Sequence, residues 1–191
     1  MDEIINLPDD PGSVEFGLRI TADRYEGEYF ADMTLQEDSE YYRIIEVASN
    51  DYSYFSLTID DCGFALEALP ENVFGRYYRE NRVIALNSAV AVRKSVLLHE
   101  MIHFYEDSLS KLNSAINEWL LIQLYNKLKD QISGLDELML SHADLLSISD
   151  LEESGGKHGL LFLLKSYDLD LACGYPLGTV MGYGYADPEQ D

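Results

Sequence analysis

The chain has 191 residues, 47% of them hydrophobic, which is enough for one domain with a sizeable core. Its 35 acidic and 13 basic residues give a formal net charge of −22, and this charge opposes contact with nucleic acid phosphates or anionic lipid. Cys62 and Cys173 are the only cysteines, too few for a disulfide framework or a four-cysteine zinc ribbon.

The first twelve residues form an acidic, turn-rich leader that is expected to be loose. They contain neither a basic targeting segment nor a long apolar run, and no stretch of the chain reaches the ~18 apolar residues needed to span a bilayer. The sequence therefore predicts a cytoplasmic protein without a membrane anchor.

Residues 14 to about 86 contain short runs rich in β-branched and aromatic residues, separated by turn residues. This pattern predicts an antiparallel sheet, with no helix ahead of the strands. The expected strands are residues 14–20, 25–35, 41–47, 52–59, 64–69, 74–78 and 82–86.

A buried helix is predicted over residues 89–112, with Asn87 or Ser88 as its N-cap. It contains the motif His-Glu-x-x-His, whose histidines His99 and His103 lie one turn apart on the same face. Two imidazoles at this spacing can hold one metal ion, and Glu100 can act as general base on the water that the metal activates. The apolar neighbours favour this interpretation, because unpaired charged groups are costly to bury.

Helical periodicity follows over residues 115–132 and 135–146, and the polar segment 147–157 is predicted to be a loop. Residues 158–165 are again apolar and helical in pattern. The segment 174–185 is rich in glycine and aromatic residues, and we expect it to be ordered but irregular, folded back over the cleft.

A catalytic zinc ion requires three protein ligands, and the helix motif supplies two. Metzincin spacing is absent, because Glu106 stands where that motif has glycine and Leu109 where it has the third histidine. The remaining candidates are His142, His158 and Glu118, which lies in an Asn-Glu pair similar to that of thermolysin-like enzymes. The residues alone leave these three open.

Three segments resemble the SprT-like (Spartan-type) zinc metallopeptidases of the zincin superfamily. Leu-Leu-His-Glu-Met-Ile-His at residues 97–103 is similar to their active-site motif, and Val-Ile-Ala-Leu-Asn at 83–87 is similar to the strand before it. Gly-Lys-His-Gly-Leu-Leu-Phe at 156–162 resembles the Gly-His-Gly-x-x-Phe element that supplies their third zinc histidine. The resemblance implies one zinc ion held by His99, His103 and His158, with Glu100 as general base in peptide hydrolysis.

The predicted architecture is α+β, with an antiparallel β-rich N-terminal half followed by a helical zincin-like half that carries the His-Glu-x-x-His helix. We divide the chain into a leader at 1–12, a β-rich subdomain at 13–61 and a metallopeptidase core at 62–191 with a helical insertion at about 113–155.

Several supporting roles are also predicted. The strand at residues 82–87 is expected to align a peptide or protein substrate, and Asp107 to orient an imidazole. Tyr183 and Tyr185 are candidate oxyanion donors. The alternative function is a non-catalytic zincin-like module that binds a basic protein partner through its acidic half.

Overall fold

The computed structural model describes residues 2–7, 13–30, 59–110, 114–149 and 158–182, which form a mixed α+β fold. Five helices and three strands lie in these ranges. In chain order they are α1 (Val14–Tyr29), β1 (Gly63–Glu67), β2 (Gly75–Tyr78), β3 (Val83–Asn87), α2 (Lys94–Leu109), α3 (Ser114–Leu128), α4 (Leu135–Ser149) and α5 (Leu160–Cys173).

The three strands form a sheet in the order β1-β3-β2. β2 is antiparallel to β3, as predicted, but β1 is parallel to it, with Phe64 opposite Ile84. The prediction of a wholly antiparallel sheet was therefore wrong, because side-chain alternation does not encode strand direction. Ile84, Ala85 and Leu86 are fully buried, as is typical of a central strand.

A helix precedes the sheet where two strands were predicted. α1 covers residues 14–20 and the start of 25–35, and this corrects the prediction. Its buried side chains, Leu18, Ala22 and Tyr25, recur every three or four residues, which is a helical period. β-Favouring residues on the other faces concealed that period. The predicted strands at 41–47 and, apart from its last residue, 52–59 lie outside the described residues.

The leader residues 2–7, predicted to be loose, lie along the start of α2. Ile5 N–H donates to Val92 O at 2.8 Å, and Lys94 N–H donates to Glu3 O at 2.8 Å. The Asp2 carboxylate accepts the N–H of Ser95 at 3.2 Å in the first turn of α2. Asp2 therefore caps this helix from a distant part of the chain.

α2 begins at Lys94, five residues later than predicted, so Asn87 is not its N-cap. The Asn87 side-chain amide instead donates to carbonyls of the preceding loop, including Val73 O at 2.8 Å, and its oxygen accepts from Ala89 N–H at 3.0 Å. This fully buried side chain organises the connections around the sheet.

α2 runs through the core and packs on α1, β2, β3 and α5, while α3 and α4 pack on α5. One hydrophobic cluster includes Leu18 of α1, Leu98 of α2 and Leu163 of α5; the division of the chain at residue 61 stays a prediction. Cys62 and Cys173 form no disulfide within the described chain. None of the described helices has the length and apolarity that crossing a bilayer requires.

Candidate metal centre

Three histidines from two distant parts of the sequence converge at one point. One ring nitrogen from each of His99, His103 and His158 lies within 4.8 Å of the others. The Nε2 atoms of His103 and His158 are 3.2 Å apart. Tetrahedral coordination with metal–nitrogen distances of about 2.0–2.1 Å places two donor nitrogens about 3.3 Å apart. The spacing therefore suits a single small metal ion.

α2 supplies the first two histidines from its buried middle. The rings of His99 and His103 are 5.0 Å apart between centroids, as expected for residues separated by one helical turn. Phe162 of α5 packs against all three imidazoles, with centroid distances of 4.7 Å to His99 and His103 and 4.0 Å to His158. This apolar backing limits the directions in which the rings can turn.

His158 lies just before α5, whose N-cap is Gly159. The backbone carbonyl of His158 accepts a hydrogen bond from His142 Nε2 at 2.5 Å. The carboxylate of Glu106, on α2, accepts the backbone N–H of Phe162 in the first turn of α5. His142 is therefore a support for the backbone of the third histidine, and it lies outside the metal-ligating group found among the described residues.

The three imidazoles are neutral at physiological pH. Burial lowers the pKa of His99 to about 3 and, together with the neighbouring His158, lowers that of His103 to about 4. Burial also lowers the pKa of His158 to about 4. Because metal binding requires an unprotonated nitrogen, the folded protein holds these side chains in the ligating form.

A backbone carbonyl fixes the tautomer of His99. Its Nδ1 lies 2.8 Å from Val180 O, so Nδ1 carries the proton and Nε2 is left as the ligating atom. Val180 belongs to the glycine-rich segment after α5, which was expected to fold back towards the cleft. A main-chain acceptor can be supplied by any residue, so no side-chain pattern indicates this contact.

Glu100 is almost completely buried beside the histidines, with 1% of its surface exposed. The first residue of β2, Gly75, lies against it: a Cβ added to Gly75 would be 2.9 Å from Glu100 Oε1 and 2.9 Å from its Cγ. Glycine at this position leaves room for the carboxylate. Gly75 was not predicted to belong to the site, because a lone glycine in a strand pattern does not reveal what it faces.

A carboxylate near His103 is that of Glu106, whereas the contacts seen for Asp107 are with Tyr77 and Arg79, so its role in orienting an imidazole stays a prediction. Glu106 Oε2 is 4.0 Å from His103 Nδ1, and burial raises the pKa of Glu106 to about 7. Asp107 instead accepts from Tyr77 Oη at 3.1 Å and pairs with Arg79 Nε at 3.2 Å. It thereby ties α2 to the end of β2.

Glu118 is exposed on α3 and does not belong to the group of potential metal ligands found among the described residues. Tyr183 and Tyr185 lie outside the described residues. Comparisons of the chain with protein-family models, curated proteins and solved structures gave no match.

Proposed function

We propose that this chain is a zincin-like zinc metallopeptidase of the SprT-like type, in which Glu100 is the general base. The observation that carries the proposal is the convergence of three neutral imidazoles beside a buried glutamate within one His-Glu-x-x-His helix. Two of the proposed ligands and the glutamate lie within five consecutive residues of α2, at 99–103, and the third ligand, His158, follows His103 by 55 residues.

The donor set favours zinc. Imidazole nitrogen suits zinc, copper, iron and nickel, whereas magnesium and calcium require oxygen ligands. Three protein ligands with a fourth position open to solvent or substrate are typical of catalytic zinc, while structural zinc sites have four. The described residues supply three histidines to this group and no fourth ligand. One zinc ion is therefore the proposed cofactor.

The proposed chemistry is hydrolysis of a peptide bond. A zinc ion in such a site supplies a Lewis acid and lowers the pKa of a water molecule to about 7. Glu100 would accept the proton that the water loses as the water oxygen bonds to the substrate carbonyl carbon, and would donate that proton to the amide nitrogen as the C–N bond breaks. His99 and His103, one turn apart on the same helix, fix the position of this carboxylate relative to the reacting bond.

The substrate is proposed to bind along β2. The sequence had suggested residues 82–87 for this role, but β3 lies between β1 and β2 and both its edges are paired. β2 is an edge strand of the sheet that the described residues form, and its first residue, Gly75, lies so near Glu100 that an added Cβ would be 2.9 Å from the carboxylate oxygen Oε1. An extended peptide added to this edge would pass close to the general base.

The test compares wild-type protein with Glu100→Gln in zinc content and in cleavage of a mixed peptide library, with a chelator-treated sample beside them. Glu100→Gln should retain zinc and lose about 10²- to 10⁴-fold in kcat, the usual contribution of a general base. Glu118→Gln makes the same chemical change at an exposed site and should cleave like the wild type. Equal turnover by Glu100→Gln and the wild type would refute the mechanism.

The same experiment distinguishes the alternative function. The net charge of −22 favours a basic protein partner over an acidic one. A wild-type protein that holds zinc, cleaves no peptide in the library and binds basic peptides would favour the zincin-like binding module over the peptidase.

A further inference from the structure

We infer that Asp170 is a positioning residue for His99, acting through the backbone of residues 178–180. This inference rests on the proposed zinc site, since its effect is on one of the three ligands. Asp170 lies near the end of α5 and is fully buried, and its side chain does not belong to the metal-ligating group found in the described chain. Its carboxylate is directed at the loop that follows the helix.

The Asp170 carboxylate binds that loop through consecutive backbone N–H groups. Oδ2 accepts from Gly178 N–H at 2.7 Å and Oδ1 from Val180 N–H at 2.9 Å, while Thr179 N–H also stabilises the charged form. Hydrogen bonds to a charged acceptor are about twice as strong as those between neutral groups. One carboxylate therefore fixes three residues of an otherwise irregular segment.

The main-chain path of the loop supports this arrangement. Gly174 ends α5 in the left-handed conformation, with φ of 69°, and the chain turns back so that Tyr175 N–H donates to Asp170 O at 2.8 Å. Gly178 also has a positive φ, of 91°, which a residue with a side chain adopts only with strain. The loop is thus folded onto the last turn of the helix that carries Asp170.

The last residue that Asp170 holds, Val180, also contacts the proposed ligand His99. Val180 donates its N–H to Asp170 and accepts the Nδ1–H of His99 on its carbonyl at 2.8 Å, so one residue connects the carboxylate to the imidazole. The Val180 side chain is fully buried, which anchors this residue further. Loss of the carboxylate would release the carbonyl and allow the His99 ring to change its tautomer or orientation.

Asp168 provides a matched comparison on the same helix. It is also buried, with 5% exposure, but its oxygens pair with Lys127 Nζ at 2.6 Å and Lys165 Nζ at 3.3 Å. These contacts join α3 and α5 and do not lead to the loop. A change of Asp168 therefore tests general destabilisation of the helix pair without moving the carbonyl of Val180.

The experiment measures zinc affinity by competition with a chromophoric chelator, and the visible spectrum of the cobalt-substituted protein, for wild type, Asp170→Asn and Asp168→Asn. Asp170→Asn should weaken zinc binding about tenfold and alter the cobalt d–d bands, because outer contacts of a ligand typically contribute 10- to 100-fold. Asp168→Asn should lower the unfolding midpoint and leave both metal readouts as in the wild type. Gly178→Ala, which strains the loop and spares the helix core, should shift the readouts in the direction of Asp170→Asn and serves if that variant does not fold.

The outcomes separate this inference from the proposed function. Wild-type protein that binds no zinc would refute the zinc site itself. If Asp170→Asn and Gly178→Ala bind zinc as tightly as the wild type and have the same cobalt spectra, only the role of Asp170 is overturned. Equal weakening by Asp170→Asn and Asp168→Asn would also overturn it, because the effect would then follow from loss of stability.

Discussion

The two helices that bring the histidines together, α2 and α5, control their ligands in different ways. His99 and His103 lie within α2, so helical geometry alone sets their separation. His158 lies before the first residue of α5, and its position depends on contacts from His142 and Glu106. The first arrangement is local in sequence, whereas the second exists only in the folded chain.

Removal of the ligand on the α5 side is expected to have the largest effect on the metal. His158→Ala should reduce zinc affinity at least about a hundredfold, because two protein ligands remain of three. His142→Ala, which removes only the hydrogen bond to the His158 carbonyl, should reduce it about tenfold. Chelator competition measures both. Glu118→Ala is the control, and a larger loss in that variant than in His158→Ala would reassign the third ligand.

A change on the α2 side can separate catalysis from metal binding. Gly75→Ala places a methyl group 2.9 Å from Glu100 Oε1 and Cγ and 2.9 Å from Val96 Cγ1, so these side chains or the strand must shift. We expect a fall in kcat of about 10- to 100-fold, since small displacements of catalytic groups have effects of this size, with zinc affinity unchanged. Gly27→Ala is the control, because its new methyl group would meet no described atom within 4 Å. Unchanged kcat in Gly75→Ala would exclude this placement of Glu100.

Asp2, which caps α2 from a distant part of the chain, should contribute to the stability of the fold and not to metal binding. Asp2 accepts hydrogen bonds from Ser95 N–H and Ser95 Oγ and from Tyr175 Oη. Asp2→Ala should lower the free energy of unfolding by about 1–2 kcal/mol, the range for a lost N-cap. Urea unfolding measures the change, and the exposed Glu71→Ala should stay within about 0.5 kcal/mol of wild type. A larger loss of unfolding free energy in Glu71→Ala than in Asp2→Ala would contradict the capping role of Asp2.

Acidification should lower the free energy of unfolding of the metal-free protein, and this is the smallest of the expected effects. The pKa values of the three histidines are about 3 to 4 in the folded state, below the usual 6.5, so their stabilising contribution is complete above pH 6.5 and is lost as pH falls. Burial raises the pKa values of Glu106 and Asp170, to about 7 and 6, and these groups act in the opposite direction.

The net loss between pH 7.5 and 5.5 should be on the order of 1 kcal/mol, measured by urea unfolding with a chelator present. His158→Phe, which removes one of the three imidazoles, should show a smaller loss than the wild type. A wild-type protein that becomes more stable over this interval would contradict the neutral state of the imidazoles.

The sequence predicted α2 and its pair of candidate metal ligands because both depend on spacing within one helix. The third ligand required tertiary information, and the residues alone left His142, His158 and Glu118 open. The resemblance favoured His158, and the structure brings it within 4.8 Å of the other two. The catalytic role of Glu100 and the identity of the metal remain proposals.

The errors of prediction have a common origin in contacts between distant segments. α1 was predicted as strands because its buried positions, Leu18, Ala22 and Tyr25, are identified only by packing. Side-chain pattern likewise gave no direction for β1 and no indication that β3 would be paired on both edges. Val180 contributes through a main-chain carbonyl, and the Asp170 carboxylate accepts hydrogen bonds from main-chain N–H groups that any residue could supply, so neither contact has a sequence signature.

The separation of 55 residues between His103 and His158 has a consequence for the unfolded chain. An ion that bridges both would act as a reversible cross-link in the folded chain, whereas the unfolded chain would have to close a long loop, at a cost in conformational entropy, to bind the ion at both. The cross-link persists only while the ion is bound, and binding to the native state stabilises it by mass action. The thermal stability and protease resistance of the protein would then follow the free zinc concentration of its surroundings.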